Sequence, residues 1–129
     1  MRKLAIWAGW IVVALAGAFF VSNGVQKLLG SDYAVAMFHD LGLPAWMRIA
    51  VGVAETVGGL CLLIPRLAAQ AAAFLGLLML GAVGVEFRAG HRFGALIPAQ
   101  WVVLFALVFW VLRRSRARAA RDDSTKAMT

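Results

Sequence analysis

The chain has 129 residues, of which 63% are hydrophobic and only 15% are charged, whereas soluble domains carry about 25% charged residues. That composition excludes an ordinary soluble domain and indicates an integral membrane protein. The formal net charge is +7, and the surplus is concentrated in RRSRARAAR at residues 113–121. No nucleic-acid recognition module accompanies this run, which suits anionic lipid headgroups better than nucleic acid. Cys61 is the single cysteine, which excludes an intramolecular disulfide and a redox dithiol.

Four apolar stretches approach the length of about 20 residues that a helix needs to cross the hydrocarbon core. In chain order they are 4–21, 45–64, 67–85 and 95–112. Between the first two, Ser31 precedes apolar residues at helical spacing, which predicts a short interfacial helix. The predicted fold class is an all-α membrane protein, a four-transmembrane-helix bundle with a short interfacial helix between spans one and two. Residues 1–112 form this bundle, and residues 113–129 form a basic cytoplasmic tail that is helical for a turn or two and partly disordered beyond.

The basic residues predict the orientation of the four spans. If both termini lie inside, nine basic residues face the cytoplasm and four face the outside, and basic residues favour the cytoplasmic side. The nine are Arg2, Lys3, Arg66, Arg113, Arg114, Arg116, Arg118, Arg121 and Lys126, and the four are Lys27, Arg48, Arg88 and Arg92. We therefore expect a multi-pass protein of the bacterial inner membrane with cytoplasmic termini. A signal peptide cleaved near Ala18 is the alternative for the first span, but it would leave an odd number of spans.

One carboxylate lies inside the second span, in VGVAETVGGLCLLIP at residues 51–65. A charge within a span costs about 2.5 to 3.5 kcal/mol on insertion scales, so Glu55 should face the bundle interior and find a partner. Helical spacing places it on one stripe with Arg48 and with Gly52 and Gly59, and these two glycines leave room for another backbone, a ligand or water. The first span ends in a second polar stripe. The sequence thus predicts one polar or ligand-binding pocket near the outer surface, formed by Asn23, Gln26, Lys27, Arg48, Gly52, Glu55, Gly59 and Glu86.

Three roles for Glu55 are compatible with this pattern. The carboxylate forms an ion pair with Lys27 or Arg48 that fixes helix register, or it binds a ligand or proton, or it is protonated and hydrogen-bonded. In each case we expect a polar group of the first span, Asn23 or Lys27, within hydrogen-bonding distance. No carboxylate or cysteine lies at a metal-ligand spacing with both histidines, so no metal site is predicted.

Small residues recur every four positions on three of the spans, and such stripes allow helices to pack closely in lipid. This spacing predicts contacts within the bundle or between two copies of the chain. The stripes are Ala14 and Ala18 on the first span, Ala50, Ala54 and Gly58 on the second, and Ala68, Ala72 and Gly76 on the third.

The segments GVQKLLG, MFHDLGLPAWM, VGVAETVGGLCLLIPRLAA and LMLGAV resemble the DoxX-like family of small four-helix membrane proteins. The resemblance extends to about Leu112, and it is most specific in the second span. The residues that carry it are Leu41, Gly42, Pro44, Glu55, Gly58, Gly59 and Pro65. It implies a four-helix fold in the membrane and an association with quinone or redox reactions, because members are linked by name to a thiosulfate:quinone oxidoreductase subunit.

The predicted function is that of a redox-associated or accessory subunit whose pocket binds a quinone, a lipid or another amphiphile. The sequence contains no self-contained catalytic motif and no covalent cofactor is expected, so a redox role requires a partner subunit or a borrowed cofactor. Two alternatives are a non-enzymatic interaction or assembly protein and a small proton-coupled transporter, although such transporters keep their carboxylate in the first span. Expected partners are the lipid bilayer, a membrane or redox protein and a second copy of the chain, but not nucleic acid.

Overall fold

The computed structural model describes residues 2–128, and helices dominate this range. In chain order they are α1 (Arg2–Leu29), α2 (Asp32–Asp40), α3 (Ala45–Leu62), α4 (Ala68–Arg88) and α5 (Leu96–Met128). Within the described range, α1, α3, α4 and α5 are long and apolar enough to cross a membrane. The structure therefore confirms the predicted fold class, with α2 as the short helix between the first two spans.

Residues with special backbone properties mark the ends of these helices. After α1, Gly30 adopts a φ of +71°, and the next amide, that of Ser31, donates to the carbonyl of Gln26 at 3.0 Å, as in a glycine-terminated helix. The Ser31 hydroxyl then accepts from the Ala34 amide at 3.3 Å and caps α2. Pro65 lies in the turn after α3, and Pro98 lies in the first turn of α5, where its missing amide hydrogen is not needed.

The four long helices pack as an antiparallel bundle. Helix α1 packs against α3, α3 against α4, and α4 against α5. Aromatic rings connect α5 back to α1, because the ring of Phe20 lies 4.9 Å from that of Trp101 and 5.2 Å from that of Phe105. The largest fully buried side chains are Phe20, Leu62, Leu75 and Phe105. Both described chain ends therefore lie at one end of the bundle, the terminal end, and α2 lies at the other, the α2 end.

Of the small residues predicted as packing positions on α3 and α4, Gly58, Ala68 and Ala72 are buried, whereas the prediction is wrong for the bundle at Ala50, which is exposed. Ala68 and Ala72 are fully buried. At Gly58, a Cβ atom would lie 2.6 Å from the Cδ2 atom of Leu75. These residues let α3 and α4 approach closely, as the spacing indicated.

On α1 the predicted small-residue stripe is not the packing face within the chain. Ala14 and Ala18 are exposed, whereas Gly17 and Phe20 are buried. The prediction that α1 packs within the bundle through Ala14 and Ala18 is therefore wrong. The large ring of Phe20 and the close approach at Gly17 determine which face of α1 turns inward.

Helix α5 is longer than the sequence predicted. It continues about four turns beyond Leu112, whereas a turn or two was expected. Ala and Arg, both good helix formers, dominate residues 113–121, and the Thr125 hydroxyl donates back to the Arg121 carbonyl at 3.0 Å. The Arg116 guanidinium also donates to the carbonyls of Pro65, at 3.0 Å, and Arg66, at 2.8 Å. These bonds tie the start of the basic segment to the α3–α4 turn. Partial disorder of the tail stays a prediction.

Candidate functional site

Among the residues that the structure describes, one charged pair lies in the interior of the bundle. The Nζ atom of Lys27 donates to the Oε2 atom of Glu55 at 2.8 Å, and the two residues are only 8% and 4% exposed. This confirms that Glu55 faces inward and that its partner comes from the first span. Of the two partners that the sequence left open, the structure selects Lys27.

The glycine at position 52 explains how Lys27 reaches Glu55. A Cβ atom at Gly52 would lie 3.1 Å from the Cβ atom of Lys27, so the two backbones are level there. Glu55 lies about one turn further along α3, and the lysine side chain covers that distance along the surface of α3. A side chain at position 52 would occupy the space through which Lys27 passes.

Arg48 supports the pair from the α2 end. Its Nη1 atom donates to the backbone carbonyl of Lys27, one of the last carbonyls of α1, which have no partner within the helix. A cation at this end also interacts favourably with the helix dipole. Arg48 therefore fixes the backbone that carries Lys27. The sequence had allowed Arg48 as the direct partner of Glu55, and the structure shows this indirect role.

Four glycines, which we call the glycine seam, bring the backbones of α1 and α3 together: Gly17, Gly24, Gly52 and Gly59. A Cβ atom at Gly24 would lie 2.6 Å from the Thr56 amide nitrogen and 2.7 Å from the Gly52 carbonyl oxygen, and one at Gly59 would lie 2.8 Å from the Gly17 carbonyl oxygen. The sequence predicted that Gly52 and Gly59 leave room for a backbone, a ligand or water. In the structure, the backbone of α1 occupies that room.

The remaining predicted pocket residues lie outside this cluster. Asn23 is half-buried and Gln26 is exposed, and no hydrogen bond within residues 2–128 joins either of them to Glu55. Glu86 lies by the α4–α5 turn, where its Oε2 atom is 3.2 Å from the Nδ1 atom of His91. The structure thus brings together Lys27, Arg48, Gly52, Glu55 and Gly59, and leaves the other three at its edge or apart from it.

Sequence reasoning missed three residues of this site, Gly17, Gly24 and Thr56. The hydroxyl of Thr56 donates to the Gly52 carbonyl at 2.7 Å, which satisfies it within its own helix. A signal for the glycines was present, because Gly17 and Gly24 are seven residues apart, as are Gly52 and Gly59. Equal two-turn spacings on consecutive spans indicate one antiparallel contact between them.

The Lys27–Glu55 pair joins opposite charges and is shielded from solvent. Among the described residues, every buried side-chain nitrogen or oxygen has a hydrogen-bond partner. Because Glu55 is buried and its carboxylate accepts from Lys27, a ligand could contact the carboxylate only if the packing around the pair opened. Chemically, the pair can hold two helices in register, whereas acid or base catalysis would require access to the carboxylate.

An open groove lies at the terminal end of the bundle, away from the charged pair. It has a volume of about 700 Å³ and is formed by residues 5–13 of α1 and 107–122 of α5. Neither Lys27 nor Glu55 lines it. This α1–α5 groove is not predictable from the sequence, because hydropathy does not show which faces of two distant helices meet.

The chain matches the profile of a known protein family. The sequence profile of the DoxX-like family matches residues 11–109, a range that includes both members of the charged pair and the whole glycine seam. No curated protein and no solved structure matches the chain.

Proposed function

The chain belongs to the DoxX-like family, and from this premise we propose that it is a non-catalytic accessory subunit of a membrane redox system. In this role the bundle supports a partner oxidoreductase, and the partner supplies the redox cofactor. The observation that carries the proposal is the closed Lys27–Glu55 pair. The most polar element of the interior is built into the packing of two helices and is not presented to a substrate.

The energetics of buried charges support a structural role for the pair. Removing one partner of a buried pair is strongly destabilising, whereas replacing both partners with apolar side chains is often tolerated. A purely structural pair can therefore be exchanged for apolar residues without loss of function. A catalytic or ligand-binding carboxylate cannot.

A quinone or lipid headgroup bound at Glu55 is the competing proposal. It is favoured by the proximity of two cations, since Lys27 contacts Glu55 and Arg48 binds the Lys27 carbonyl. Such a ligand would have to displace the Lys27 ammonium from the buried carboxylate. Proton-coupled transport has less support, because the lysine ammonium already neutralises the carboxylate.

The decisive experiment uses a charge-free double variant, Lys27→Met with Glu55→Met, and a matched control, Gln26→Met, on an exposed position of the same helix end. Membranes from a strain that lacks its own copy are assayed for thiosulfate-dependent quinone reduction. We expect the native chain, the double variant and the control to restore equal rates, and the purified chain alone to show none.

Two results would decide against this proposal. A double variant that is folded but fails to restore the rate, while Gln26→Met succeeds, would favour the ligand site at Glu55. Equal rates of quinone reduction with and without the native chain would contradict the proposed role in a redox system.

We also propose that both termini face the cytoplasm of the bacterial inner membrane. The support is the nine-to-four distribution of basic residues. A reporter fused after Thr129 should be active when it requires the cytoplasm and silent when it requires the periplasm. The opposite pattern would reverse the orientation.

A further inference from the structure

The two walls of the α1–α5 groove differ in chemistry. The α1 wall is apolar throughout, from Ala5 to Val13, and the α5 wall is apolar only from Leu107 to Leu112. Beyond that point the α5 wall contains Ser115, Arg118 and Asp122. The end of the groove near Leu107 is therefore apolar on both walls. At the other end, near Asp122, the α1 wall is apolar and the α5 wall is polar.

The lengths of the four long helices explain why the groove is open. Helix α3 ends at Leu62 and α4 begins at Ala68, and the bonds from Arg116 to the α3–α4 turn show where this hairpin stops. Helices α1 and α5 continue past that level. No residue of α3 or α4 lines the groove.

The charges around the polar end favour an anion. Between residues 113 and 128 there are six basic and two acidic residues. Arg118 lines the groove and makes no hydrogen bond or ion pair within residues 2–128, whereas Arg114 lies over the Trp110 ring at 5.1 Å. Asp122 lines the same end and opposes an anion there, but the basic residues outnumber it.

We propose that the α1–α5 groove binds an anionic phospholipid of the surrounding bilayer, with an acyl chain along the apolar part and the phosphate at Arg118. The volume lies within the range of about 300 to 1,000 Å³ that is usual for small-molecule sites. A phospholipid offers a long apolar chain and an anionic headgroup in the same order, along the helix axis, as the lining of the groove. A transmembrane helix of another protein does not match, because it would need an apolar wall along its whole length.

The first test fills the groove without disturbing the bundle. Gly9 lines the groove and an added Cβ atom there would meet nothing within 4 Å, so Gly9→Leu directs a side chain into the groove without a clash at Cβ. Gly81→Leu is the matched control, because Gly81 also faces open space but lies on α4, outside the groove. Each purified protein is incorporated into nanodiscs of phosphatidylcholine and phosphatidylglycerol, and the lipid it retains is measured by native mass spectrometry. We expect Gly9→Leu to weaken phosphatidylglycerol retention by at least about tenfold and Gly81→Leu to have no effect.

The second test addresses the headgroup. Arg118→Gln should abolish the preference for phosphatidylglycerol over phosphatidylcholine, whereas Arg121→Gln, an equal loss of charge one turn away and outside the groove, should preserve it. The proposal fails if Gly9→Leu retains as much phosphatidylglycerol as the native chain, or if both glycine variants lose it equally. It also fails if the two arginine variants behave alike, or if the native chain retains a neutral quinone in place of the phospholipid.

Discussion

Helix α1 contacts its two neighbours in opposite ways. Against α3 its backbone approaches so closely that a Cβ atom at Gly24 would clash with backbone atoms, and the buried pair lies beside this contact. Against α5 it meets large rings near Phe20 and then diverges into an open groove. The glycine seam has two glycines on each helix, whereas α5 has no glycine between Leu96 and Met128.

The difference shows what each kind of contact is suited for. Close backbones exclude lipid and water, so a charge beside them must find its partner within the protein. Large side chains hold helices apart, and in a bilayer the remaining space is filled by lipid at little cost. Breaking each contact should therefore have effects of different size.

The largest effect should come from Glu55→Gln. This change leaves the Lys27 ammonium beside a neutral amide in the interior, and breaking a buried ion pair in this way costs about 3 to 5 kcal/mol. Unfolding in detergent, followed by circular dichroism, measures the loss. Glu86→Gln is the control, because its partner His91 has a half-exposed side chain and exposed pairs contribute less than about 1 kcal/mol. Equal effects of the two changes would contradict a buried role for the Lys27–Glu55 pair.

Gly24→Ala should be the next most damaging change. Its methyl group would meet the Thr56 amide nitrogen and the Gly52 carbonyl, and overpacking of this kind costs about 1 to 3 kcal/mol. Gly9→Ala, on the same helix but facing the groove, should instead stabilise the protein by about 0.5 to 1 kcal/mol, because alanine is the better helix former. The same unfolding experiment compares the two variants. A Gly24→Ala variant as stable as the native chain would show that α1 and α3 are not in close contact at Gly24.

Phe105→Ala should have a smaller effect. The ring is fully buried against Phe20 and Trp101, but in lipid there is little hydrophobic gain to lose, so the cost is mainly that of the ring contacts, about 1 to 2 kcal/mol. Phe74→Ala, on a half-exposed position of α4, should cost much less. If the two variants unfold with the same loss of stability, the aromatic contact does not contribute to the packing of α5 against α1.

The smallest effect on stability should come from Arg116→Gln. The two bonds to the α3–α4 turn are exposed, so their loss should cost less than about 1 kcal/mol. It should nevertheless speed amide hydrogen exchange in residues 117–128, because the tail would lose its anchor. Arg121→Gln, whose guanidinium does not bond to that turn, should leave the exchange rates unchanged. Equal exchange rates in the two variants would show that the tail helix is stable without the bonds from Arg116.

The sequence by itself determined the four spans, the short helix after the first span, the inward direction of Glu55 and the span that supplies its partner. These follow from hydropathy, capping and the cost of a charge in hydrocarbon, which act on each segment whatever its neighbours are. Only the tertiary structure decided that Lys27 and not Asn23 meets Glu55, that Gly52 and Gly59 admit a backbone, and that Ala14 and Ala18 face outward. It also decided the path of the α1–α5 groove and the length of α5. These features depend on the rotation and separation of packed helices, and many side chains from different spans fix those quantities together.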